Sequence, residues 1–261
     1  MILQEAKNHI KRIVDTIQRI SGTYGTETVY RDWCEMFALS IANNSTLFKN
    51  KKWEQREARY LDIIKRYKED AAAVEAFPEM CGELTLAFEV DPFQDYLGSI
   101  YMELFGGNKK LGQCFTPIDL CRVCAATTFD NVEPDVHHTI TLGDECCGGG
   151  AMIIAACGYL KEEKKINYQR WLAVKAADLD TLCVHMTYIQ LSLLGVRAEV
   201  YHQDTITYKQ FDVFITPMAR IYGGLPPQRK EPEPKEEPQH VSTVQPVIEE
   251  AKQLTLESLI Q

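Results

Sequence analysis

The segment Gly143-Asp144-Glu145-Cys146-Cys147-Gly148-Gly149-Gly150 decides how this chain is read. A β-like run, His138-Thr139-Ile140-Thr141-Leu142, leads into it, and an apolar helical run, Ala151 to Tyr159, leads out. An acid at a strand end followed by three glycines lets backbone approach a ligand closely, and the helix N-terminus behind it favours negative charge. The pattern is not a P-loop, because no Lys-Ser/Thr follows Gly150, and the G-x-G-x-x-G spacing is absent. An acid just ahead of the glycines suits a ligand carrying an amino group. Glycine-rich turns also join strands to helices where nothing binds, so the neighbouring segments carry the decision.

Those segments come in a telling order. Leu111-Gly112-Gln113-Cys114-Phe115-Thr116-Pro117 lies upstream. Downstream, Ala176-Ala177-Asp178-Leu179-Asp180 ends a second strand and Gln203-Asp204-Thr205 a third. Phe211-Asp212-Val213-Phe214-Ile215-Thr216-Pro217 supplies a fourth strand. With these motifs, the stretch from Asp91 to Pro217 resembles the N6-adenine DNA methyltransferases, specifically the modification subunit of type I restriction systems and its relatives in phages and mobile elements. Gly112 to Pro117 matches that family's G-Q-F-F-T-P with Cys114 for the first Phe. Asp144 to Gly150 matches its D-P-A-C-G-S-G, keeping Asp144, Cys147, Gly148 and Gly150.

The resemblance implies an α/β, Rossmann-like, S-adenosylmethionine-dependent methyltransferase sheet behind an N-terminal helical subdomain. It also implies S-adenosylmethionine as cofactor. Phe115, Thr116, Pro117 and Asp144 are then expected at its methionine end, with Cys147, Gly148 and Gly150 in the cofactor loop. Asp178 is expected at its ribose hydroxyls and Asp204 at its adenine amino group. A carboxylate accepts two hydrogen bonds from vicinal hydroxyls, which suits an acid at the second strand tip. The alternatives are that Asp178 or Asp180 caps the helix from Thr181 to Leu194, the better reading for Asp180, and that Asp204 opens a turn.

The chain departs from the family at the site of chemistry. Where N-P-P-Y or N-P-P-F is usual, it has Thr216-Pro217-Met218-Ala219, without the Asn acceptor or the aromatic that stacks on a flipped base. Losing such a preorganised contact typically costs about 3 kcal/mol of transition-state stabilisation. Thr216 and Pro217 are the candidates for an unorthodox catalytic loop. The expected function is therefore a DNA adenine-N6 methyltransferase-like protein of weak or partner-dependent activity. The alternative is a non-catalytic cofactor-binding or regulatory relative encoded by a phage or mobile element. The strand series is also expected to be incomplete after the fourth strand.

The expected organisation is a helical subdomain over residues 1–110, a cofactor domain over 111–225, a Pro- and Glu-rich linker over 226–246 and a short helix over 247–261. Nine cysteines without a signal-like leader read as reduced thiols of a cytoplasmic protein, and no run is apolar enough to span a membrane. The pair Cys121 and Cys124 lacks partners at zinc spacing, so no metal site is expected. Residues 1–70 carry 13 Lys and Arg against 10 Asp and Glu, while the whole chain is at −9. Lys49, Lys51, Lys52, Arg56, Arg59, Lys65, Arg66 and Lys68 either follow a phosphate backbone or form a solvated helix face. The acidic total predicts weak DNA binding by this chain alone, with a protein partner bringing specificity.

Overall fold

Apolar residues at helical spacing, Ile10, Ile13, Val14, Ile17 and Ile20, form the buried stripe of α1 (Ile2–Tyr24). The structure, a computed structural model, describes residues 2–106, 115–132 and 139–226. The expected linker beyond Pro226, the expected C-terminal helix, Leu111 to Cys114 and His138 lie outside the described residues. The described residues belong to one compact unit that ends at Pro226.

After α1 come α2 (Thr26–Asn44) and α3 (Lys51–Arg66), the latter started by the Asn50 side chain accepting the Trp53 N–H. Asp70 caps α4 (Ala71–Val90), which packs along α1 and carries Pro78 in its interior. Asp95 caps α5 (Tyr96–Phe105), and Pro117 precedes α6 (Ile118–Phe129). Cys121 and Cys124 both stand on α6, and among the described residues no cluster of three or more His, Cys, Asp or Glu is placed to hold a metal. Nor is any described helix long and apolar enough to cross a membrane.

The sheet has the order β1 (Ile140–Asp144), β2 (Leu172–Asp178), β3 (Arg197–Asp204), β4 (Lys209–Ile215), with the first three parallel. α7 (Ala151–Glu162) and the short α8 (Tyr168–Trp171) connect β1 to β2, and α9 (Thr181–Leu193) connects β2 to β3. Two right-handed crossovers stepping the same way put α7 and α9 on one sheet face. The register aligns Leu142 with Val174, Val174 with Ala198 and Val200 with Phe214, so these share a face. Val174, Ala198, Val200 and Phe214 are buried. α9 is buried from Leu182 through Leu191 because it lies between β2 and β3 and the N-terminal helix α2. The class is α/β, a Rossmann-like sheet, incomplete at four strands among the described residues, following a helical N-terminal region.

β4 runs antiparallel to β3 at the sheet edge, in a hairpin through Thr205 to Tyr208. A parallel return needs a crossover of about a dozen residues or more. Four residues close only a hairpin, helped by Tyr208 at φ +57°. α10 (Pro217–Ile221) follows directly.

Candidate functional site

Parallel strands deliver their C-terminal ends to one edge of the sheet, and here those ends carry Asp144, Asp178 and Asp204. From Asp144 the chain turns through the glycines into α7. Gly148 at φ +54° and Gly150 at φ +90° adopt left-handed conformations that side chains disfavour. The Cys147 N–H donates to the Ala177 carbonyl at 3.0 Å, docking the turn on the neighbouring strand. Asp178 fixes it from the other side, accepting from the Gly148 N–H at 2.9 Å and, through its second oxygen, from the Asp180 N–H at 2.9 Å. Each carboxylate oxygen has two acceptor positions, so one on each remains after these bonds. Asp144 accepts from the Cys146 N–H at 3.2 Å. Its carboxyl is pushed above the ordinary aspartate value, first by burial and also by the charge of Asp178. Two acids so placed complement a ligand that brings positive charge and hydroxyl donors.

Phe115 closes the turn from above. A Cβ on Gly148 would meet the Phe115 ring at 3.2 Å, and the ring stands edge-on to Tyr101 with centroids 5.1 Å apart. Thr116 accepts the Cys121 thiol at its carbonyl, and Pro117 opens α6, so the described part of this segment sits against the turn. Cys147 is buried, and burial pushes its thiol well up, leaving a packing residue without nucleophilic character.

Three supporting residues escaped the sequence reading. Thr187 on α9 donates to the Gly148 carbonyl at 2.8 Å. Gln190, one helical turn further, donates to the Gly149 carbonyl at 2.6 Å and to Asp95 at 2.8 Å, and accepts the Leu97 N–H at 3.2 Å. Asp95 is buried beneath the turn, its carboxyl raised by burial, and a Cβ on Gly149 would stand 3.0 Å from its oxygen. The middle glycine thus leaves room for a brace, whereas Gly148 leaves room for Phe115. A polar residue three before Gly98 and a Thr-x-x-Gln on an otherwise apolar helix were the available signals.

A family model for N-6 DNA methylases matches residues 93–240, starting two positions before Asp95. The chain belongs to the N-6 DNA methylase family. Among solved structures, the methyltransferase subunit of a type I restriction-modification system from Streptococcus thermophilus is similar at 13% identity and a TM-score of 0.39. The match covers 78% of this chain and 59% of that one, so the chain spans about three-fifths of that subunit's length. No curated protein sequence matches.

In this family member Asp204 stays at the strand-tip edge, and Thr216 and Pro217 do not. Asp204 accepts the Ile206 and Thr207 N–H groups at 3.0 and 3.2 Å, as in a turn, and the Thr207 side chain together with these bonds holds its carboxyl below the ordinary value. Asp180 caps α9 and pairs with Arg31 at 3.2 Å. Thr216 and Pro217 are not brought to the glycine turn. Because β4 is antiparallel, its end lies beside Ala198, six residues before Asp204, which at about 3.3 Å per residue is ~20 Å back along β3, and β2 and β3 stand between β4 and β1. Thr216 is fully buried there. Its hydroxyl donates to the Val196 carbonyl at 2.7 Å, accepts the Ala198 N–H at 3.0 Å and caps α10 through the Ala219 N–H. Pro217 occupies the first position of that helix, where its missing N–H costs nothing.

Proposed function

We propose that this N-6 DNA methylase binds S-adenosylmethionine at the glycine turn and acts as an adenine-N6 methyltransferase-like protein of weak or partner-dependent activity. The observation that carries the reading is Asp178. It holds the Gly148 N–H and keeps acceptor capacity beside Asp144, under the Phe115 ring. When bound, the cofactor supplies an activated methyl group on a sulfonium. Asp144 offers charge to an amino group, Asp178 accepts from ribose hydroxyls, and Phe115, Thr116 and Pro117 cover the turn. Cys147, Gly148 and Gly150 shape the backbone, and Asp204 stands two residues beyond the position level with Asp178. Residues 111–225 would carry this site and residues 1–110 would support it through α2 and α5.

The reaction on DNA needs a group that polarises the adenine amino group and a surface that captures the base. Thr216 is committed to the backbone, so these are proposed to come from a partner, which would also read the DNA sequence in the cytoplasm. Calorimetry with S-adenosylhomocysteine on the wild type and on Asp178→Ala tests the cofactor claim. Loss of the charge-assisted bonds should weaken binding by about 1.5–3 kcal/mol. Absence of any heat or thermal shift for the wild type at millimolar ligand would refute it.

A further inference from the structure

A cavity of about 770 Å³ lies away from the glycine turn, between α2, α3, α9 and the β3–β4 hairpin, and shares none of the turn's residues. One wall is the basic face of α3: Lys51, Lys52, Arg56 and Arg59. Glu35 engages Arg59 with both oxygens and Asp212 pairs with Lys52, which holds these side chains in place and cancels two charges. Lys51 and Arg56 remain, and among the described residues neither forms an ion pair. Arg56 is the informative one. It is 7% exposed, donates through one terminal nitrogen to the Val213 carbonyl at 3.2 Å and lies over the Phe214 ring at 4.9 Å. Its Nε is buried without a hydrogen-bond partner. A buried donor on a cation is costly to leave unmade, and an anion in the cavity would complete it.

The facing wall is aromatic. Phe211 is 48% exposed although it belongs to a strand, and its ring lies 4.7 Å from that of His202 at 34°. Lys209 stands over the Phe211 ring at 5.2 Å. A half-exposed aromatic pair opposite a cluster of cations is the arrangement that binds a flat base and its phosphate together. The volume falls in the range of small-molecule sites and far exceeds the needs of a bare phosphate.

We propose that this cavity binds a nucleoside phosphate, the base against Phe211 and His202 and the phosphate held by Lys51 and Arg56. The ligand is either a free nucleotide or the phosphorylated end of a nucleic-acid strand. The proposal stands independently of the cofactor assignment, because no residue is common to the two sites.

The test is calorimetry on the full chain with AMP, adenosine, inorganic phosphate and a 5′-phosphorylated single-stranded oligonucleotide. It includes Lys51→Gln and Phe211→Leu, with melting curves to establish that these accessible positions leave the fold intact. The expected result is binding of AMP or the oligonucleotide, weakened about tenfold or more by each variant and persisting in saturating S-adenosylhomocysteine. Binding of the oligonucleotide without AMP would identify the strand end as the source, and binding of both the nucleotide. The proposal is overturned if neither binds at millimolar concentration, if both variants bind like the wild type, if phosphate or adenosine alone binds as tightly as AMP, or if S-adenosylhomocysteine displaces AMP.

Discussion

Replacing Thr216 by valine separates a structural from a chemical role for the residue that stands where the family has its catalytic Asn. Valine matches threonine in shape and removes only the hydroxyl. In a strand the N–H and C=O of one residue point the same way. Ala198 therefore turns both towards Thr216, which answers them with its hydroxyl and its own N–H. Thr216→Val leaves the buried Ala198 N–H and Val196 carbonyl without this partner and removes the cap of α10. An orphaned buried group costs about 1–3 kcal/mol and a lost cap ~1, while the buried methyl returns up to ~1, for a net of about 3 kcal/mol. For a unit of this size each kcal/mol lowers Tm by about 2–4 °C, so the melting temperature should fall by roughly 9 °C. Circular dichroism melts measure this, and calorimetry with S-adenosylhomocysteine below the transition should give an unchanged affinity. A Tm within about 2 °C of wild type, accompanied by loss of ligand binding or methyl transfer, would show that the hydroxyl faces a ligand and that the antiparallel placement of β4 is wrong.

Gln190→Leu removes the side chain that ties Gly149, Asp95 and Leu97 together, and it should cost about 3 kcal/mol in urea unfolding. It should also weaken cofactor binding, whereas a stability loss with unchanged affinity would mean that the turn holds its shape without the brace. Burial pushes His185 down to about 4, against the opposing charges of Glu35 and Asp212 and with help from His202. The folded state therefore keeps this imidazole neutral while the unfolded chain binds a proton near pH 6.5. Its contribution is complete above about 6.5 and is lost as pH falls towards 4, about 3 kcal/mol in all. Urea unfolding between pH 7 and 4 should show this loss in the wild type and a shallower one in His185→Leu, and parallel curves would exclude His185 as its source.

The parts of the fold that were legible are those where one local signal dominates. The acid and three glycines between an apolar strand and an apolar helix can hardly form anything but a strand–turn–helix, and the strand tips Asp178 and Asp204 follow from the β-run ahead of each. α4 carries no such signal. Pro78 interrupts its middle, and its many apolar residues give a weak stripe, so only its packing along α1 makes it a helix. Asp95 and Gln190 were hidden for a different reason. Their meaning is a contact across 95 positions of sequence, and neither residue type announces a buried partner.

The placement of β4 shows why motif order cannot stand in for topology. Phe211 to Thr216 has the composition and sequence position of the strand that brings the catalytic loop beside the cofactor in its relatives, and the expectation of Thr216 and Pro217 as catalytic residues rested on that order. The connection decides otherwise. Asp204 spends its carboxylate on the Ile206 and Thr207 N–H groups, Tyr208 takes a left-handed conformation, and the chain returns along β3. This one turn moves Thr216 to the starting end of β3 and presents Phe211 beside His202 in the cavity that the α3 cations line. Phe211, Asp212 and Phe214 of this strand line the separate cavity against Lys51 and Arg56, whereas Thr216 and Pro217 do not. With this hairpin on the β3 side, β1 pairs with β2 alone among the described residues, so the sheet is open there on the Asp144 side.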